Sequence, residues 1–201
     1  MSDKKSNFQK MLEFAGLLNK YREVTRTVLV NGTDRLENDI EHSYMLAMLA
    51  DYIISVENIK LDRHKVMSYC LAHDFVEVYA GDTDVYTSDK KRLDSKHERE
   101  RKAFERIGKE FPEHQNLLKN IEQYELKLDD ESRFVYALDK IQPAIQTYLD
   151  SGRMWKKENI TLSQIINHKT DKVKFSPIVE KYWNELREIL ERNQHTLFPK
   201  K

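Results

Sequence analysis

Apolar residues recur at three- and four-residue steps along almost the whole chain, and helix breakers are scarce, with 5 Gly and 4 Pro in 201 positions. That spacing is the period of one helix face, and charged residues, 34% of the chain, fill the faces between. A nearly all-α fold is therefore predicted, helices packed on helices around one core. A length of 201 residues fits a single domain, since domains commonly run from about 50 to 250 residues. Lys+Arg and Asp+Glu both total 34. No net field is then available to hold a nucleic-acid backbone, so nucleic acid is not an expected partner. The single Cys70 lies in an apolar helical stretch, which excludes an internal disulfide and suits a buried thiol in a reducing compartment. The opening MSDKKSNFQK lacks the apolar core of a secretory signal. No run approaches the roughly 18 apolar residues of a membrane span. A cytoplasmic protein with no membrane partner is expected.

Caps and stripes place the helices. The first should begin near Ser6 and end near Tyr21, with Phe8, Met11, Leu12, Ala15 and Leu18 as its apolar face. From Glu23 to Asp39, β-branched residues around Asn31-Gly32 predict an irregular link with a brief hairpin. From about Ile40 to Ser55 the chain is apolar nearly all round, through Tyr44, Met45, Leu46, Met48, Leu49 and Ile53, as expected at the centre of a bundle. Asp62 can cap a third helix that stops at Gly81. The charge-dense stretch from Asp89 to Glu110 predicts a surface helix that packs only through Leu93, Ala103, Phe104 and Ile107. Pro112 opens a helix that turns Leu117, Leu118 and Ile121 inward. Asp129 or Asp130 caps the next, which carries Phe134, Val135, Leu138, Asp139 and Ile141, is kinked by Pro143 and ends at Gly152. Thr161 and Ser176-Pro177 start two more, the last with Ile178, Tyr182, Leu186 and Ile189 on one stripe.

Three of these apolar segments carry polar residues that need a reason. A His-Asp dipeptide alone means little, because seven His and 15 Asp in 201 residues give about 0.5 such pairs by chance. Here, however, His73-Asp74 closes a helix as HDFVEVYAGD, where Glu77 falls four and three residues later and shares their face. Cys70, Leu71, Phe75 and Val76 imply buried surroundings, and buried charges need partners. Glu41 and His42 repeat the anomaly at the start of the most apolar helix, and Asp139 repeats it between Leu138 and Ile141. Two imidazoles and two carboxylates from three helices make a mixed N/O set suited to one divalent ion (Mn²⁺, Co²⁺, Fe²⁺, Zn²⁺ or Mg²⁺), with positions left for water and a phosphate oxygen. No second such cluster is evident, and His64, His97 and His114 sit in charged, surface-like surroundings.

A histidine, then a His-Asp pair, then a distant aspartate resembles the pattern of the His-Asp (HD) superfamily of metal-dependent phosphohydrolases. The segments EHSYMLAMLA, LAHDFVEVYAGDT and ALDKIQPAIQTYLDSGRMWKK look like the 5′-deoxynucleotidase branch. The resemblance implies an all-α, single-domain HD-type helical bundle over residues 1–201, with a core of about 20–160 and helices of 161–195 packed on it. It implies that His42, His73, Asp74 and Asp139 bind the metal, that Glu77 handles the proton of the attacking water, and that Asp82 assists at the nucleophile or substrate. It also implies an arginine upstream of the first histidine that binds the substrate phosphate: Arg26 is the candidate, with Arg22 and Arg35 as alternatives. Branch relatives imply a homodimer and a small-molecule nucleotide substrate. The expected reaction is hydrolysis of (deoxy)nucleoside 5′-monophosphates to nucleoside and phosphate. Two rivals remain: the same metal site acting on another phosphate ester (an alarmone, a cyclic dinucleotide or a nucleoside triphosphate), and a non-catalytic interaction module with a structural metal. The presence of Glu77 weighs against the second.

Overall fold

The computed structural model describes residues 5–87 and 89–199. The chain runs α1 (Asn7–Tyr21), β1 (Thr25–Leu29), β2 (Leu36–Asn38), α2 (Asp39–Val56), α3 (Arg63–Ala72), α4 (Glu77–Ala80), α5 (Lys90–Asp94) and α6 (Lys96–Glu110). It continues through α7 (Gln115–Leu126), α8 (Asp130–Leu149), α9 (Arg153–Lys157), α10 (Leu162–Val173), α11 (Pro177–Arg192) and α12 (Gln194–Leu197). The only sheet among the described residues is the antiparallel β1-β2 hairpin, so the fold class is all-α. No helix among them is long and apolar enough to cross a membrane.

Local chemistry sets most of these boundaries. Reciprocal capping boxes begin α1 (Ser6/Gln9), α2 (Asn38/Glu41), α8 (Asp129/Ser132) and α10 (Thr161/Gln164). Each satisfies two backbone donors left free at a helix start. Asp62 caps α3 and Pro177 occupies the first turn of α11. Gly152, at φ +70°, is needed twice over, because a Cβ there would also lie 2.1 Å from the Leu197 carbonyl oxygen.

The main core joins α2, α3 and α8 through Leu46, Ile54, Tyr69, Val135 and Leu138 to Ile165, Val179, Trp183 and Leu190 of α10 and α11. A smaller cluster around Leu17, Tyr21, Phe75, Ile107 and Ile121 lies beside it. The four expected metal ligands lie on α2, α8 and the turn after α3, and Glu77 opens α4.

Several expectations are corrected. The α1 stripe of Phe8, Met11, Leu12 and Leu18 faces outward, while Leu17 and Tyr21 are buried and Phe14 packs beside them. The period finds an apolar stripe, but α1 carries apolar residues on two faces, and spacing cannot choose between them. On α2, Tyr44, Met45 and Met48 are exposed and Leu46, Ala47, Ala50, Ile53 and Ile54 fill the core, so this helix is not buried all round. The buried stripe of α11 is Val179, Trp183, Leu186 and Leu190, offset from the expected one. Pro112 lies before α7 instead of inside its first turn. The stretch 89–110 divides into α5 and α6 at Ser95.

The expected single helix from Asp62 to Gly81 breaks after Ala72. Successive bonds from Phe75 N to Ala72 O, Glu77 N to Asp74 O, Val78 N to Phe75 O and Tyr79 N to Val76 O are of the tighter i to i+3 kind. The coil tightens there without glycine or proline, which is why no residue type announced it.

Candidate metal centre

Asp39 and His42 lie three residues apart in the first turn of α2 and are fully buried. His73 and Asp74 occupy the tightened turn after α3, and Asp139 lies on the inner face of α8. The structure brings the four expected donors together: one ligand atom each from His42, His73, Asp74 and Asp139 lies within 4.8 Å of the others.

The imidazoles are pre-set for a cation. His42 Nδ1 lies 3.0 Å from the Gln142 Oε1 acceptor, and His73 Nδ1 lies 2.9 Å from the Cys70 carbonyl oxygen. With both Nδ1 atoms donating, both Nε2 atoms present lone pairs, and these lie only 3.2 Å apart in a buried site. Asp139 Oδ1 is 3.0 Å from His42 Nε2, and Asp74 Oδ2 is 3.0 Å from His73 Nε2. Lone pairs and carboxylate oxygens converging without enough protons repel one another, so the donor set fits a divalent ion. Burial and the nearby Arg26 push His42 down to about 4, toward the neutral form that a ligand requires. Against the cost of burial, Asp74 and Asp139 raise His73, which marks a field that favours positive charge at Nε2. Asp139 is held well below the ordinary carboxylate range: burial opposes this, but Lys140, His42 and His73 outweigh it.

A second acidic group adjoins the first, contrary to the sequence expectation. Asp39, Asp74 and Glu77 also lie within 4.8 Å of one another. Their counter-charge is Arg26, on β1 instead of a loop: its guanidinium is 2.7 Å from Asp74 Oδ2, 3.3 Å from Asp39 Oδ1 and 3.9 Å from Glu37 Oε2. Of the three candidate arginines, only Arg26 lines the cavity beside the site. Arg35 instead forms a two-pronged pair with Glu41 at 2.8 Å, and Arg22 is exposed.

Glu77 opens α4 and is 3% exposed, with Oε2 lacking any hydrogen-bond partner. Burial first, then the fields of Asp74, Asp82 and Asp39, raise its carboxyl well above the usual range. Burial and Asp74 likewise raise Asp82, which follows the positive-φ Gly81 and lines the same cavity. A raised proton affinity suits a group that takes up a proton during a reaction.

The cavity has a volume of about 480 Å³. Besides Arg26, His73, Asp74, Glu77, Asp82 and Asp139 it is lined by Tyr124, which donates to Asp139 Oδ2 at 3.3 Å, and by Lys96, Lys140 and Lys169. Sequence reasoning missed these, and also Glu37, Asp39 and Gln142. Asp39 and Gln142 could have been found, because each lies three residues from an expected ligand on the same helix face. Lys169 carried no local signal.

An HD domain model matches residues 18–181. The chain belongs to the HD domain family. This HD domain is 27% identical over 139 residues to the 5′-deoxynucleotidase HDDC2 of Mus musculus, covering 68% of this chain and 67% of the relative. It is 28% identical over 143 residues to the protein of the same name from Danio rerio, covering 69% and 68%. A crystal structure of a predicted metal-dependent phosphohydrolase from Magnetospirillum magnetotacticum MS-1 superposes with a TM-score of 0.81 at 27% identity, covering 96% of this chain and 97% of that one. A conserved hypothetical protein from Pyrococcus furiosus shares the fold, with a TM-score of 0.61 at 22% identity over 90% and 99% of the two chains. The HD domain is thus a metal-dependent phosphohydrolase.

Proposed function

We propose that this HD domain hydrolyses (deoxy)nucleoside 5′-monophosphates to nucleoside and phosphate as a cytoplasmic homodimer, with His42, His73, Asp74 and Asp139 holding one divalent ion. The observation that carries the chemistry is the pair of imidazole Nε2 atoms 3.2 Å apart, with Asp74 and Asp139 closing the donor set. Support for the substrate comes from two relatives named 5′-deoxynucleotidase and from a cavity of about 480 Å³, within the usual range for small-molecule sites. When bound, the ion supplies charge that acidifies water and offsets charge on the phosphoryl group.

The protein's own groups do the rest. Glu77 accepts the proton of the attacking water, a task for which its raised affinity suits it. Asp82, facing the same cavity, orients the water or the substrate. Water oxygen bonds to phosphorus, the bond from phosphorus to the 5′ oxygen breaks, and that oxygen leaves with a proton. Arg26 reaches the cavity from the carboxylate cluster, where a guanidinium can grip a phosphate oxygen pair. Arg26 also neutralises the second acidic group, which favours one ion over two. For the homodimer, the support is the exposed apolar stripe of Tyr44, Met48, Tyr52 and Val56 along one face of α2.

Phosphate release from a panel of nucleotides, after chelation and re-addition of Mn²⁺, Co²⁺, Mg²⁺ or Zn²⁺, tests this. Monophosphates should be cleaved fastest, and only with a divalent ion present. Faster cleavage of cyclic dinucleotides or alarmones would contradict the substrate assignment.

A further inference from the structure

One wall of the cavity is built of cations that the reaction above does not use. Lys140 on α8, Lys169 and Lys172 on α10 and Lys96 on α6 all line it. Lys140 contacts Asp139, and Lys96 pairs with Glu100 at 3.4 Å. The other two differ. Lys169 Nζ donates to the Lys140 carbonyl oxygen, and Lys172 Nζ donates to His168 Nε2 at 2.8 Å. Among the described residues, no carboxylate lies within 4.0 Å of either ammonium.

Lys169 is 5% exposed. A buried ammonium without a counter-ion costs several kcal/mol, so such a group is retained where something anionic meets it. Burial, with Lys140 and Lys172 adding to it against Asp139, pushes Lys169 down to about 7. Burial and the same lysine neighbourhood push Lys172 down to about 8. His168 is pushed down to about 3 by burial and the surrounding lysines, so its neutral ring accepts from Lys172. The wall also has direction. It starts at Lys140, next to a residue of the four-donor cluster, passes to Lys169 through the carbonyl contact, and continues just under one helical turn later to Lys172.

We propose that Lys169 and Lys172, with Lys140, form a second anion subsite that takes a phosphoryl group other than the one attacked at the metal centre. The inference rests on the phosphohydrolase assignment and adds to it: the 5′-phosphate that is cleaved sits at the metal centre, and the lysine wall takes a further phosphate beside it. The second anion is supplied either by the nucleotide itself or by free phosphate bound beside a monophosphate. Lysine suits the role as a mobile point charge that can follow phosphate oxygens.

The test is equilibrium binding by isothermal titration calorimetry to the metal-loaded protein carrying Glu77→Gln, in which turnover is slow. The ligands are a deoxynucleoside 5′-monophosphate, its 5′-diphosphate, its 3′,5′-bisphosphate, and inorganic phosphate added to the monophosphate complex. At least one of the doubly phosphorylated ligands should bind tenfold or more tightly than the monophosphate, or free phosphate should bind to the monophosphate complex. Lys169→Met, and independently Lys172→Gln at a half-buried position, should reduce that ratio toward one or abolish the free-phosphate binding. If every ligand binds no tighter than the monophosphate and phosphate does not add to it, the subsite is wrong. An equal loss for all ligands in the variants also overturns it, since the lysines would then hold the phosphate common to them. Cleavage of monophosphates without a second-anion preference leaves the proposed reaction standing and removes only the subsite. Lysine-dependent binding without cleavage of any nucleotide by the wild type does the reverse.

Discussion

Replacing Lys169 by methionine should stabilise the protein, an uncommon sign for a buried polar position. Burial, reinforced by Lys140 and Lys172, moves the Lys169 ammonium from 10.5 down to about 7. At about 1.4 kcal/mol for each tenfold change in proton affinity, keeping it charged costs the folded state roughly 5 kcal/mol. Methionine restores apolar burial and loses the hydrogen bond to the Lys140 carbonyl, a loss of about 1 kcal/mol. A net gain of about 3 to 4 kcal/mol is expected at pH 6. The pH dependence carries the diagnosis. Below about 7 both folded and unfolded chains hold the proton, so the wild type bears the full penalty. Between about 7 and 10.5 the folded chain gives up a proton that the unfolded chain keeps, so the wild type gains on the variant as pH rises. Above 10.5 the penalty is gone. Urea unfolding of both proteins at pH 6, 8 and 10 measures this directly. A variant less stable than wild type at pH 6, or a difference that does not change with pH, would refute the claim that this ammonium is buried without compensation.

The remaining predictions concern the metal centre and its supports. Gln142→Leu removes the acceptor of His42 Nδ1–H and should weaken metal binding about 10- to 100-fold, as read by competition with a chelating dye; unchanged affinity would mean that His42 is oriented by something else. Glu77→Gln should keep the metal yet lower kcat by about 100-fold or more, and loss of metal instead would make Glu77 a ligand. Arg26→Lys and Arg26→Ala should lower kcat/KM toward monophosphates in that order, with at least one ion per chain retained, since Arg26→Ala removes the counter-charge of Asp39 and Asp74 and so does not weaken the hold on a cation. Wild-type kinetics in both would assign the phosphate to another group.

Much of this arrangement was legible in the sequence, for physical reasons that differ from residue to residue. His42, His73, Asp74 and Asp139 stood out because each is a polar residue inside an apolar helical pattern, and burial without partners is expensive. Ser6, Asp62 and Thr161 marked helix starts because capping is a local contact, and Pro177 marked another because its fixed φ suits a first turn. The outward stripe of α1 was not legible, since orientation depends on what packs against Phe14, Leu17 and Tyr21. Nor was the break after Ala72, which tightens the backbone without a breaker residue. Arg26 was chosen by resemblance, but its place among Asp74, Asp39 and Glu37 depends on β1 pairing beside the start of α2. Lys169 was invisible for the same reason: nothing in its neighbours along the chain says that it faces α8.

The central claim is that four side chains from α2, the turn after α3, and α8 hold one divalent ion. Elemental analysis of protein expressed in metal-supplemented medium, comparing wild type with His73→Ala and Asp74→Ala, tests it most directly. Wild type should carry about one equivalent per chain and lose Tm on chelation, because an ion that binds only the folded state must stabilise it. Both variants should carry almost none. A wild-type content near zero with no thermal gain from any divalent ion, or variants that keep a full equivalent, would contradict it.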